Sequence, residues 1–229
     1  MEAIILAGGE GKRLRPLTEN RPKPMVEVSG KPILLHQVEH LRSHGVGRFV
    51  IACRYKWEMI RDFLGDGNDF GIEIEYCVEK EPLGRGGAIK QAYRMISNKD
   101  LPVIATNGDN LFDVDITRLI KKHRDSKQSI TITLVPLKSP YGIVNIEGDL
   151  VKEFREKIVL PHWVNAGVYV LSPDALEHFP GKGDHEESTF PQFAKEGKIG
   201  AYLHRGFWKG IDNAKDISEA EEFLSNYPS

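Results

Sequence analysis

Short continuous apolar runs alternate with amphipathic stretches along the first half of the chain, so strands and helices are expected in alternation. Positions 3–6 (Ala-Ile-Ile-Leu) read as a first strand buried on both faces, running directly into the glycine-rich segment AGGEGKRLRPLT. Residues 33–44 carry apolar positions at helical spacing and stop before Gly45. Arg48–Cys53 reads as a second buried strand and Trp57–Leu64 as a second helix, closed by the turn GDGND. Residues 72–78 alternate apolar and charged side chains, as a half-exposed strand does. Beyond Gly84–Gly87 a helix is expected to about 96, then a central strand at 103–106 and a helix at 115–124 with Asp115 as its N-cap. Such alternation predicts an α/β fold: a Rossmann-like, mainly parallel mixed sheet flanked by helices.

From Ser129 the texture changes. Strand-like runs at 130–135, 143–146, 150–154 and 164–171 follow one another with little helix between them, and helices are expected near 173–178, 190–196 and 215–226. Antiparallel or mixed strands appended to the parallel half account for this pattern. No linker rich in Pro, Gly or Ser separates the two parts, which predicts one domain over 1–229 with halves at about 1–128 and 129–229.

Composition narrows the partners. The net charge of -2 gives no electrostatic reason to expect nucleic acid. No apolar run approaches the roughly 18 residues of a membrane span, and the N-terminus has no signal-peptide pattern. Cys53 and Cys77 lie in apolar segments, as buried free thiols in a cytoplasmic protein would. His36, His40 and His44 fall four apart on one helix face, where a packing or surface role is expected ahead of a metal site.

The first loop is where chemistry concentrates. Gly8, Gly9 and Gly11, placed just after a buried strand, let backbone N–H groups approach an anion, and Arg13 and Arg15 add guanidinium donors matched to phosphate oxygens. The dinucleotide fingerprint does not fit, because Leu14 stands where its third glycine belongs and Pro16 follows; a Walker lysine–hydroxyl pair is also missing. A second cluster, Arg21-Pro22-Lys23-Pro24-Met25, brackets one lysine between two prolines and limits where its ammonium can reach.

LAGG-x-G-x-RLRPLT followed by PKPM resembles the sugar-1-phosphate nucleotidyltransferases, also called NDP-sugar pyrophosphorylases. The likeness continues along the chain. Glu81-Pro82-Leu83-Gly84-Arg85-Gly86-Gly87-Ala88 is similar to the family's base loop, Asn107-Gly108-Asp109 to its G-D motif, Glu156-Lys157 to its E-K-P motif and Asn165-Ala166-Gly167 to its N-A-G strand. The resemblance implies transfer of a nucleotidyl group from a nucleoside triphosphate to a sugar 1-phosphate, with release of pyrophosphate and with Mg²⁺ as cofactor. It implies nucleotide contacts from Leu6, Ala7, Gly8, Gly9, Gly11, Arg13, Lys23, Glu81, Gly86, Asn107 and Asp109, and sugar contacts from Gly142, Glu156, Lys157 and Asn165. Arg13, Lys23 and Lys157 would serve as the catalytic cations. Asp109 would hold the metal, joined by a carboxylate from the tail. A homodimer is compatible with it.

Four departures stand out: Lys12 and Arg85 replace threonines, Ile158 replaces a proline, and the tail Trp208–Asp216 lacks the common W-x-D-I-G-T-P form. That tail is closer to the form in glucose-1-phosphate cytidylyltransferases, which points to Asp212 as the second metal ligand; Asp216 opens the last helix and is expected to serve it as a cap or dipole partner. The base loop is most similar to guanylyltransferases acting on mannose or heptose 1-phosphates. Cytidylyl-, uridylyl- and thymidylyltransferases, a non-catalytic nucleotide-sugar-binding subunit, and an alcohol-phosphate cytidylyltransferase are the alternatives.

Overall fold

A computed structural model describes residues 1–226. The chain runs β1 (Glu2–Ala7), β2 (Glu27–Val28), β3 (Lys31–Pro32), α1 (Ile33–Ser43), β4 (Arg48–Cys53), α2 (Trp57–Leu64), β5 (Glu73–Val78), α3 (Gly84–Tyr93), β6 (Val103–Asn107), β7 (Asn110–Phe112) and α4 (Ile116–Ser126). It continues through β8 (Ile130–Lys138), β9 (Ile143–Glu147), β10 (Leu150–Arg155), β11 (Val159–Leu171), α5 (Pro173–Glu177), α6 (Thr189–Lys195), β12 (Ile199–Leu203), β13 (Trp208–Gly210) and α7 (Ala214–Asn226).

Seven strands form one sheet in the order β12-β8-β11-β6-β1-β4-β5. Its pairings are parallel except those of β11, which runs against both β6 and β8. Residues of β1 divide between the two faces, as a period of two demands. Ala3, Ile5 and Ala7 face the core under α1, α2 and α4, with Leu34, Ile60 and Leu119, whereas Ile4 faces the core under α3, α5 and α6, with Ile89, Leu176 and Phe193. Each layer is closely packed, so truncating one of these aliphatic side chains to alanine costs about 2–5 kcal/mol. At the amino ends, Arg48 on β4 binds Glu2 on β1 and Glu73 and Glu75 on β5, which fixes the parallel register by charge as well as by burial.

The expected helices and strands of the first half are present, and Asp115 caps α4 by accepting from Arg118 N at 2.9 Å. Cys53 and Cys77 are buried and unpaired, and burial pushes their thiols up to about 12 and about 11. His36 and His40 lie 2.9 and 2.8 Å from the carbonyl oxygens of Val28 and Val114, which gives both rings a packing role. The strand-rich second half is appended to the parallel half as expected, with β11 supplying the antiparallel pairings. β8, β11 and β12 extend the central sheet itself, whereas β9 and β10 form a separate hairpin and β13 pairs with β7. Period alone cannot distinguish these outcomes, because a run of apolar residues does not name its partner strand.

Candidate active site

The chain builds outward from β1 through β4 to β5, then crosses to place β6 on the other side of β1. At such a reversal the loops leaving adjacent strands diverge and open a crevice beyond their carboxyl ends. A cavity of about 340 Å³ lies there, bounded by Leu6–Gly9 at the end of β1, Asn107 and Asp109 at the end of β6, Glu79 after β5, and the start of α3.

Local chemistry explains how the first loop reaches this cavity. Thr18 donates its hydroxyl to the Gly11 carbonyl at 2.7 Å and closes the loop on itself. Gly11 has φ of 65°, and a Cβ there would come within 2.9 Å of the Lys23 Cβ. Only glycine tolerates both conditions. The loop therefore lies against Lys23, whose short 3-10 turn is stiffened by Pro22 and Pro24.

Lys23 is 8% exposed, and its ammonium donates to Asp109 Oδ2 at 2.6 Å and to Asp212 Oδ1 at 2.7 Å. Arg13 adds a contact to Asp212 Oδ1 at 2.9 Å. Four residues named from sequence thus meet in one cluster of two cations and two carboxylates. Asp109 arrives on the turn between β6 and β7. That turn lies flush on β1: Gly108 N donates to Leu6 O at 2.8 Å, and a Cβ at Gly108 would stand 2.5 Å from the same oxygen. Asp212 arrives because β13 pairs with β7, Gly210 opposite Asn110, and Ile211 N donates to Asp109 O at 3.0 Å.

Asp216 has a different task. Asn213 Oδ1 accepts from Asp216 N at 3.1 Å while Asp216 Oδ2 accepts from Asn213 N at 3.0 Å, a reciprocal capping box at the start of α7. Burial opposes ionisation of Asp216, but the Lys209 ammonium and the amides of Asp212 and Asn213 outweigh it and hold the carboxyl below its ordinary range. The carboxylate is committed to that structure.

Around the segment expected to meet the base, the structure separates two glutamates. Glu81 turns outward to Lys182 at 2.8 Å and does not line the cavity. Glu79 lines it instead, 9% exposed, with Oε2 accepting from Leu83 N at 3.0 Å. Burial pushes its carboxyl above the usual range, opposed by that backbone N–H and by Arg54. Glu79 carries no motif of its own in the sequence; its place directly after a parallel strand is the signal that marks it. Arg85, one of the departures, pairs with Asp184 and Glu186 at 2.6 and 2.7 Å. Gly86 does not line the cavity, though Gly84 and Ala88 do.

The residues expected on the sugar side do not join the charged cluster. Gly142 packs under Phe154, beside Glu156. Lys157 follows with φ of 52°, a left-handed conformation that turns the chain sharply into β11. Asn165 gives both N–H groups to protein acceptors, Tyr169 Oη at 2.8 Å and Glu186 Oε1 at 2.7 Å, and its Oδ1 accepts from Gly167 N. It braces the strand and can offer a ligand only a remaining lone pair. The next residue, Ala166, receives Asn110 Nδ2 and Trp208 Nε1 on its carbonyl, which links β11 to the turn of Asp109.

The fold and the cavity define an α/β protein with a charged crevice at a topological switch point of its sheet. Its family follows from comparison: a family model described as nucleotidyl transferase matches residues 2–226, and the chain belongs to that family. The mannose-1-phosphate guanylyltransferase catalytic subunit beta of Danio rerio is 37% identical over 95% of this chain, which spans 62% of that relative's length. HddC from Yersinia pseudotuberculosis, solved with GMP-PN, superposes with a TM-score of 0.77 at 30% identity, over 97% of this chain and 99% of that one. A Bacillus anthracis structure described as a glucose-1-phosphate thymidylyltransferase, holding sucrose, shares the fold with a TM-score of 0.81 at 21% identity, over 100% of this chain and 97% of that one.

Proposed function

We propose that this chain transfers a guanylyl group from GTP to a sugar 1-phosphate, mannose 1-phosphate being the favoured acceptor, and releases pyrophosphate. The observation that carries the reading is the meeting of Lys23, Asp109 and Asp212 at the mouth of the cavity. The Danio rerio relative, a mannose-1-phosphate guanylyltransferase subunit, supports the choice of guanine and mannose, and the GMP-PN bound to HddC supports guanine.

In this reading an oxygen of the sugar phosphate attacks the α-phosphorus in line and pyrophosphate departs. The attacking oxygen is already ionised, so no general base is needed, and positioning with electrostatic stabilisation does most of the work. Lys23 grips the α-phosphate, Arg13 holds the β- and γ-phosphates, and Lys157 receives the phosphate of the sugar. Asp109 and Asp212 fit Mg²⁺: both lie within hydrogen-bond reach of one cationic nitrogen, and carboxylate oxygens suit a hard ion that completes its shell with phosphate oxygens and water. When bound, the ion would neutralise charge gathering on the phosphate oxygens. The cytoplasm, with its reduced thiols and nucleoside triphosphates, suits such an enzyme.

Guanine presents two adjacent donors, N1–H and the 2-amino group, and a carboxylate can accept both. Glu79 supplies that carboxylate in the cavity wall. Glu79→Gln replaces one acceptor by a donor, so the preference in kcat/KM for GTP over CTP, UTP and dTTP is expected to fall by about tenfold or more. Steady-state assays of pyrophosphate release with the four triphosphates check this. An unchanged GTP preference removes Glu79 from base recognition, and a wild-type preference for CTP or UTP overturns the guanylyl assignment.

A further inference from the structure

Gln37 lies on α1 among Leu34, Val38 and Leu41, on a helix face otherwise devoted to the core, and is 2% exposed. A buried amide is costly in such a place unless its polar atoms are bonded. Its Oε1 has no hydrogen-bond partner among the described residues. Its Nε2 has two: Asn107 O at 2.9 Å and Asn110 O at 2.6 Å. These carbonyls stand two residues before and one residue after Asp109. Leucine would satisfy the helix face, so the amide is accounted for by its donor side alone.

We propose that Gln37 is a positioning residue for the cation site: one side chain from α1 spans the Asn107–Asn110 turn and sets the direction in which Asp109 presents its carboxylate. The proposal rests on the metal reading of Asp109 given above. The turn is also held by the pairing of Asn107 with Leu6 and of Asn110 with Gly210, by backbone bonds from Gly108 to Leu6 and from Ile211 to Asp109, by the Asn110 side chain on Ala166, and by Lys23 on the Asp109 carboxylate. None of them closes the turn across its own ends. Gln37 does so, with a donor on each flanking carbonyl, and a small rotation there would carry Asp109 away from Asp212.

The test uses Gln37→Met, which keeps the length and apolar bulk and removes both donors. Mn²⁺ affinity is measured by electron paramagnetic resonance with a non-hydrolysable GTP analogue present; nucleotide affinity in EDTA and KM for the sugar 1-phosphate are measured separately. The expected result is Mn²⁺ binding weakened about tenfold with a matching loss of kcat, while metal-free nucleotide affinity and sugar KM stay within about twofold. General disruption of the fold would move all four together. Should Gln37→Met fail to fold, Gln37→Leu, which suits the apolar helix face and also lacks both donors, is read the same way. Asp109→Asn serves as the reference. If it loses Mn²⁺ and the Gln37 variant binds Mn²⁺ like wild type, the positioning role is overturned; if Asp109→Asn itself binds Mn²⁺ normally, the metal reading falls and the Gln37 proposal with it.

Discussion

Asp109→Asn is expected to lower turnover on the order of 10²-fold or more, which corresponds to about 2.7 kcal/mol of transition-state stabilisation. The substitution preserves shape and removes one of two carboxylates that approach Lys23 Nζ. Folding should be little affected, because Asp109 is more than a third exposed and its turn is held by backbone bonds that the change leaves intact. Turnover at saturating Mg²⁺ checks the expectation. Activity within about threefold of wild type would remove Asp109 from the metal site.

Lys23→Met should produce two effects of opposite sign. Turnover falls on the order of 10²-fold or more, because a phosphate clamp is lost at the reacting centre. Divalent cation binding without nucleotide, however, should tighten by about tenfold, or roughly 1.4 kcal/mol. The Lys23 ammonium occupies the space between Asp109 and Asp212, 2.6 and 2.7 Å from their oxygens, where it competes with any other cation. Opposite charges about 4 Å apart attract by about 1–4 kcal/mol in partly solvated surroundings, enough to account for the competition. Triphosphate binding would draw Lys23 onto the α-phosphate and free the carboxylates, so that metal and nucleotide enter together. Mn²⁺ titration of nucleotide-free protein measures this. Weaker or unchanged binding in Lys23→Met would mean that the lysine does not guard the site.

How much of this could be read before the structure depended on distance along the chain. The strand–loop–helix rhythm up to about residue 126 was legible because each buried run is flanked by its own turn residues. The first loop and the Lys23 turn were legible as chemistry, since glycine, proline and paired cations act within a few residues. The partner strands were not legible, although Asp212 was named through the family form. Asp212 meets Asp109 only because β13 aligns on β7, two strands of three residues each whose short runs carry almost no periodic signal. The choice of Asp212 over Asp216 followed from family form and from the expectation that Asp216 serves α7, and the capping box with Asn213 gives that expectation its physical basis.

Two further features needed coordinates. Glu81 looked suited to the base because it opens the EPLG segment, but the left-handed Gly84 and the start of α3 turn that segment so that Glu79 faces inward and Glu81 meets Lys182. Gln37 was silent in the sequence. An isolated polar residue on an apolar helix face reveals nothing of what it binds until the Asn107–Asn110 turn, some 70 residues away, is seen resting on it.

The proposed joining of GTP to a sugar 1-phosphate at the Lys23–Asp109–Asp212 cluster can be observed product by product. The most direct measurement is ³¹P nuclear magnetic resonance of purified protein with GTP, mannose 1-phosphate and Mg²⁺. The expected result is consumption of both substrates with GDP-mannose and pyrophosphate growing in equal amounts, and no such growth with Asp109→Asn over the same interval. Spectra in which GTP yields only GDP and orthophosphate, or in which neither substrate is consumed, would contradict the account.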